Sequence, residues 1–293
     1  MLKKAIQFMI ISAIGFAFLN AIVKYLGDFN AYQIVFFRSI GTLFFTIPLL
    51  LKYKLPFSGN KKTLLILRGI LGVTSMSLFF MSTKHLPIGS AVSLRYISPI
   101  FAAVFAFFIL KEKIKPIQWL FFLIAFSGVV ILKGFDSQIN TTGLLLILAS
   151  SFFSGLVFII IRKIGADDHP IVVVNYFMMI ALIAGGILCI PYWKTPVGWE
   201  WILLLSLGIF GYVGQLYMTK ALQLAETNKA APLKYIEVIF TMLIGLSWFH
   251  ESYTMWSVLG ILLIIIGLTL NTYTKTSKSN TSKQSHEALN GKN

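Results

Sequence analysis

Five ionisable side chains fall inside long apolar runs of the chain, where a charge at the centre of a bilayer costs about 3 kcal/mol on insertion scales. Four are cations and one is a carboxylate: Arg38, Arg68, Arg95, Lys234 and Glu237. Because guanidinium and ammonium groups bind carboxylates and other anions, this excess of positive charge suits an anionic or zwitterionic substrate. The pattern predicts that Arg38, Arg95 and Lys234 contact substrate.

Each of these charges also has a structural interpretation, which the sequence leaves open. Arg38, Arg68 and Arg95 could each donate hydrogen bonds to backbone carbonyls where helices pack together. Lys234 and Glu237 are three residues apart on one helix face and could neutralise each other. The sequence therefore leaves two roles for Glu237, proton coupling and a purely structural pairing. Arg68 lies toward the cytosolic end of its run, where a long cationic side chain can snorkel to water, so we expect it to lie outside the site.

Polar and aromatic side chains accompany the charges. Small-molecule sites combine aromatic and apolar walls with a few convergent polar groups. Four further residues are predicted to bind substrate on this ground: Tyr96, Tyr235, Gln215 and Tyr217.

Helix-breaking and capping residues flank this set. Pro99 removes a backbone hydrogen bond near the middle of its run and is predicted to act in gating. Glu112 and Glu251 are expected to accept amide hydrogen bonds from the helix that follows each of them. Packing is the expected role of four glycines at three-residue spacing: Gly69, Gly72, Gly208 and Gly211.

The composition places these residues in a membrane. Of the 293 residues, 57% are apolar and only 12% are charged, with a mean hydropathy of +0.82. Water-soluble domains rarely exceed half apolar residues. The net charge of +15 would suggest nucleic acid in a soluble protein, but here the bases lie mostly between apolar runs, so we expect no nucleic-acid partner.

A spanning helix needs about 20 apolar residues, and the chain supplies ten such runs. The fold class predicted from them is an all-α integral membrane protein with ten transmembrane helices. The expected spans are 4–25, 30–51, 63–83, 88–110, 116–133, 142–162, 169–191, 201–222, 229–249 and 254–274.

The basic residues predict the orientation of these spans. With both termini cytosolic, seventeen of the 25 cations lie on the cytosolic side. The opposite side then holds only Lys24, Lys84, Lys133 and Lys194. The expected location is the plasma (cytoplasmic, or cell inner) membrane, with multiple passes.

The sequence also repeats itself at a shift of 139 residues. Arg95-Tyr96 aligns with Lys234-Tyr235, and Gly72 with Gly211. Each repeat holds five spans, an odd number, so the second half must be inverted relative to the first. The predicted units are a five-helix repeat over 1–135, an inverted five-helix repeat over 140–274, and a disordered cytosolic tail over 275–293.

The chain resembles the EamA family of the drug/metabolite transporter superfamily. The resemblance is carried by the five-helix duplication, FRS at Arg38, LRGILG at Arg68, and the KEK and HES stretches around Glu112 and Glu251. It implies a central cavity lined largely by the third, fourth, eighth and ninth spans. It also implies a carrier of amino acids, other metabolites, nucleoside-like cofactors or amphiphilic drugs.

The function predicted from these features is a secondary transporter, most simply an exporter, of small anionic or zwitterionic metabolites such as amino acids by alternating access. We expect neither an enzyme nor a cofactor, and no metal site, because the acids, histidines and Cys189 are scattered. An intramembrane lipid-modifying enzyme and a channel are the alternatives. Coupling to protons or a counter-substrate, and a monomeric or homodimeric state, are left open.

Overall fold

The computed structural model describes residues 2–109, 115–135, 140–224 and 236–273. These residues form eleven α-helices and one short 3-10 helix, and they contain no strand. The helices are α1 (Leu2–Tyr25), α2 (Ala31–Lys52), α3 (Lys62–Ser82), α4 (Ile88–Arg95), α5 (Ser98–Ile109), α6 (Pro116–Phe135), α7 (Thr141–Ile164), α8 (Pro170–Cys189), α9 (Trp199–Leu224), α10 (Ile236–Trp248) and α11 (Met255–Tyr273), and Ile190–Tyr192 form the 3-10 turn.

The prediction of an all-helical membrane protein is confirmed for this part of the chain. Seven helical segments are long and apolar enough to cross a membrane when α4 and α5 are counted as one, and three shorter apolar helices lie in α6, α10 and α11. Together they match the ten runs that the sequence predicts. Lys234, Tyr235, Glu112 and the tail over 275–293 lie outside the described residues.

Small residues allow the helices to pack closely. Helix α1 packs against α9, α3 against α7, α2 against α8, and α6 against α11. Where α2 crosses α9, a Cβ atom built on Gly208 would lie 2.3 Å from the Cα atom of Gly41. Since lipid supplies no hydrophobic force between helices, such close backbone contacts are the main source of their association.

Contacts between segments that are far apart in the sequence define the two ends of the bundle. At one end, Lys61 pairs with Asp167, and the backbone amide of Asn60 donates to Asp168 at 2.5 Å. At the other end, the amide of Gln33 donates to the carbonyl oxygen of Lys194 at 2.6 Å. The loop between α2 and α3 therefore lies beside that between α7 and α8.

The fourth predicted span is interrupted in its middle. Helix α4 ends at Arg95 and α5 begins at Ser98, and the amides of Tyr96 and Ile97 bond carbonyls only three residues back. Pro99 has no amide to donate to the Arg95 carbonyl, whose oxygen instead lies 3.2 Å from the hydroxyl of Ser151 on α7. The side chain of Ser151 thus supports the break, which places Tyr96 between two short helices.

Replacing Gly208 by Ala tests the α2–α9 crossing. The new methyl group would collide with backbone atoms of Gly41, which cannot rotate away as a side chain can. Overpacking of this kind costs about 1–3 kcal/mol, more than the roughly 1 kcal/mol of helix propensity that alanine adds. The apparent melting temperature of the purified protein in detergent should therefore fall.

Gly186→Ala on α8 is the matched control. Its Cβ atom would meet only the ring of Phe36, at 3.3 Å, which can shift. Equal melting temperatures for the two variants would contradict the close crossing.

Candidate functional site

A small cavity lies at the centre of the bundle. Its volume is about 40 Å³, and its polar lining comes from several different helices. Known small-molecule sites measure about 300–1,000 Å³, so a metabolite fits only after the surrounding helices move apart. The charged and amide side chains in its wall are Arg38, Arg68, Arg95, Gln215 and Glu237.

The three arginines are held by apolar and aromatic partners. The guanidinium of Arg68 lies 4.1 Å from the ring centre of Phe177, and that of Arg95 lies 4.2 Å from the ring centre of Phe79. Arg38 donates to the sulfur of Met76 at 2.7 Å. Ring faces attract cations without neutralising them, so the positive charges stay available to a ligand.

Two glycines related by the sequence repeat give the arginines their space. A Cβ atom on Gly72 would lie 2.1 Å from Nη1 of Arg68, and one on Gly211 would lie 2.9 Å from Nε of Arg38. Packing was the predicted role of both glycines. In the structure each one opens the volume that a buried guanidinium group occupies.

Glu237 is the carboxylate of this cavity and is bound by two neutral donors. The hydroxyl of Tyr96 donates to its Oε2 at 2.6 Å, and the amide of Asn20 donates to its Oε1 at 2.8 Å. Its side chain is only 3% exposed. The donors come from α1 and from the break between α4 and α5, so Glu237 links both of these segments to α10.

Several donors in the cavity wall have no hydrogen-bond partner among the residues that the structure describes. They are Nε of Arg38, Nε and Nη1 of Arg68, and Nε2 of Gln215, all on side chains at most 4% exposed. Buried donors are normally satisfied, and one left unpaired costs about 1–3 kcal/mol. Their convergence on one cavity indicates a site that awaits an acceptor-rich ligand.

The start of α4 is fixed from the opposite repeat. Both oxygens of Glu251 accept the amide of Ile88, at 2.9 and 3.1 Å, and the hydroxyl of Tyr253 donates to Glu251 at 2.6 Å. Burial and the neighbouring carboxylate raise the pKa of Tyr253, so its hydroxyl stays protonated. The expectation that Glu251 caps its own following helix is wrong, because its carboxylate points to the free amides of α4 instead.

The structure brings together most, but not all, of the residues predicted to bind substrate. Arg38, Arg95, Tyr96 and Gln215 line one cavity with Glu237. Tyr217 does not: its ring packs on Phe8, with centres 5.4 Å apart. Residues two apart on a helix point about 200° apart, so Gln215 and Tyr217 face different directions.

Arg68 lies in the cavity wall, although its position in the sequence favoured a place outside the site. Its side chain is 1% exposed and lines the cavity, rather than reaching water at the bundle end. The signal was the glycine one turn later, Gly72, which lets the guanidinium fold back along its own helix. Pro99 follows directly after the break between α4 and α5, and its role in gating stays a prediction because its side chain is not among those that the structure describes.

Comparisons with known proteins show that the chain is similar to membrane transporters. The model of the EamA-like transporter family matches residues 3–133 and again 141–273. Solute carrier family 35 member G1 of Homo sapiens is 28% identical over 290 residues, which cover 92% of this chain and 80% of that protein.

Two bacterial transporters are similar as well. The pseudopaline exporter CntI of Pseudomonas aeruginosa is 28% identical, covering 86% of this chain and 89% of that protein. The S-adenosylmethionine uptake transporter of Rickettsia prowazekii is 26% identical, covering 83% of each. A solved crystal structure, 18% identical, matches the fold with a TM-score of 0.69 over 94% of this chain and 99% of its own.

Replacing Glu251 by Ala tests the cap of α4. The amide of Ile88 would lose its acceptor, and Lys24, whose ammonium lies 3.8 Å from Glu251, would lose its carboxylate partner. Loss of a cap costs about 0.5–2 kcal/mol, so the apparent melting temperature in detergent should fall.

Asp28→Ala is the control, because Asp28 also lies near a lysine but its side chain is 91% exposed. The cap would be disproved if Asp28→Ala lowered the melting temperature as much as Glu251→Ala.

Proposed function

Because the chain belongs to the EamA-like transporter family, as its sequence predicts, we propose that it is a secondary transporter that exports small anionic or zwitterionic metabolites. The observation that carries this proposal is the central cavity with its three arginines and one carboxylate. Amino acids and related compounds are the first candidates, since guanidinium groups bind carboxylates and the aromatic wall accepts an apolar side chain.

Alternating access between two inverted halves is the proposed mechanism. The family model matches the chain twice, once in each proposed half. The packing partners also exchange between halves: α1 contacts α9, as α7 contacts α3. Binding near the middle of such a pair allows each half to open the cavity to one side in turn.

The proposed orientation has both termini in the cytosol of a multi-pass plasma-membrane protein. It is supported by the excess of lysine and arginine in the loops at one end of the bundle. Export is supported by the similarity to an exporter that covers most of both chains. Another similar protein is named for uptake, so the direction of transport has to be measured on this chain itself.

Within the site we propose that Arg38, Arg95, Tyr96 and Gln215 bind substrate. Lys234 and Tyr235 stay predicted partners on the ninth span, by their equivalence to Arg95 and Tyr96 in the repeat.

Two experiments test the proposed function: the kinetics of substrate flux into proteoliposomes, and the direction of net transport in cells. In proteoliposomes, uptake of a labelled amino acid should saturate and should rise when unlabelled substrate is present on the far side. Linear flux without this stimulation would indicate a channel. Comparing metabolites in medium and cytosol with and without expression should identify compounds that accumulate outside, whereas accumulation inside would overturn export.

Replacing Arg95 by Lys tests recognition of a carboxylate. Lysine keeps the charge but loses the bidentate fork, so exchange of a carboxylate substrate should weaken about tenfold relative to exchange of its amide. Arg162→Lys, at an exposed position in the last turn of α7, is the control. An equal effect on acid and amide would remove this role from Arg95.

Replacing Glu237 by Gln tests proton coupling. Glutamine keeps an acceptor oxygen for Tyr96 or Asn20 but cannot take up and release a proton. Uptake driven by a pH gradient should therefore disappear while substrate exchange across the membrane persists. Both activities are measured in the same proteoliposomes, and an unchanged response to the gradient would rule out coupling at Glu237.

A further inference from the structure

The three cavity arginines are arranged in a row along α3. Arg68 belongs to α3 and its guanidinium group lies beside Gly72 of the same helix. Arg38 donates to the sulfur of Met76, and Arg95 lies over the ring of Phe79. These α3 positions are spaced by four and three residues, so they share one helix face. With a rise of about 1.5 Å per residue, the row extends roughly 10 Å along the helix axis.

This row carries more positive charge than the described residues neutralise. The four ion pairs in the described ranges all involve lysines at the ends of the bundle, and none involves these arginines. Glu237, the one carboxylate among the described residues of the cavity wall, is bound by Tyr96 and Asn20. Three guanidinium groups and one carboxylate leave an excess of two positive charges.

The arginines at the two ends of the row both lie against aromatic rings. Arg68 lies against the ring of Phe177 and Arg95 against the ring of Phe79. Two donors of Arg68, Nε and Nη1, are buried and have no partner in the described part of the chain. A guanidinium group stacked on a ring keeps its edge free for the planar, bidentate contact that carboxylates make.

We infer that the substrate is a dicarboxylate, with one carboxylate bound at Arg68 and the other at Arg38 and Arg95. This inference rests on the proposed transport function and makes it narrower. Two separated carboxylates neutralise the excess charge of the cavity. One accepts hydrogen bonds from Nε and Nη1 of Arg68, and the other accepts from Nε of Arg38 and lies beside Arg95. A monocarboxylate reaches only one of these two sets of donors.

Binding to the purified full-length chain in detergent tests the inference with three probes of matched length. Adipate carries two carboxylates, adipamate replaces one by an amide, and hexanoate lacks it. The dissociation constants are obtained from the rise in melting temperature with ligand concentration at fixed ionic strength. We expect adipate to bind at least about tenfold more tightly than either of the others, since each charge-assisted contact is worth about that factor.

Arg68→Gln should remove this preference. The variant should bind adipate about as weakly as the natural sequence binds hexanoate, with hexanoate binding unchanged. Arg162→Gln removes the same charge from an exposed position of α7 and should leave all three constants unchanged. Gly72→Ala provides a second route, because its methyl group displaces the Arg68 guanidinium without removing the charge, and it should reduce the preference as well.

Two results would overturn the inference and separate it from the transport proposal. If proteoliposomes exchange hexanoate and adipate equally well, or if Arg68→Gln weakens both acids alike, the dicarboxylate site is wrong while the transport function stands. If neither acid binds, and no amino acid shows saturable exchange, both proposals fail.

Discussion

Placing three guanidinium groups in the interior of an apolar helix bundle is the constraint that organises this structure. A charge in such surroundings must be paired or held by oriented groups, since it has lost its water. Here Arg68 and Arg95 lie on aromatic rings, and Arg38 lies on a methionine sulfur. Glycines at 72 and 211 leave the space that these long side chains need, so the packing of α3 and α9 is adapted to the charges.

The interruption between α4 and α5 follows from the same constraint. It places Arg95 and Tyr96 at the cavity, and Tyr96 reaches Glu237 from there. Both ends of α4 then need partners for their free backbone groups. Glu251 supplies them at the start and Ser151 at the end, and both belong to the second half of the chain. The position of a cavity arginine in one half therefore depends on side chains of the other.

Much of the fold could be read from the sequence because each span is long, apolar and bounded by polar residues. The ten runs correspond to the helical segments, and the charged residues within them predicted three of the cavity-lining side chains, Arg38, Arg95 and Glu237. Tyr217 and Arg68 show the limit of this approach. Membership of an apolar run says how deep a residue lies, but the direction of its side chain depends on which neighbour each helix face meets.

The sequence by itself determined that the chain crosses a membrane with alternating helices and carries unpaired positive charge at mid-depth, since both follow from local composition and hydropathy. Only the tertiary structure decided that Arg38 and Arg95 contact the same face of α3 that carries Arg68. It also decided that Glu251 caps a helix more than a hundred residues earlier in the chain. Contacts of this kind join side chains that are far apart in the sequence. They depend on how helices pack, and packing is set by the shapes of all the surfaces at once.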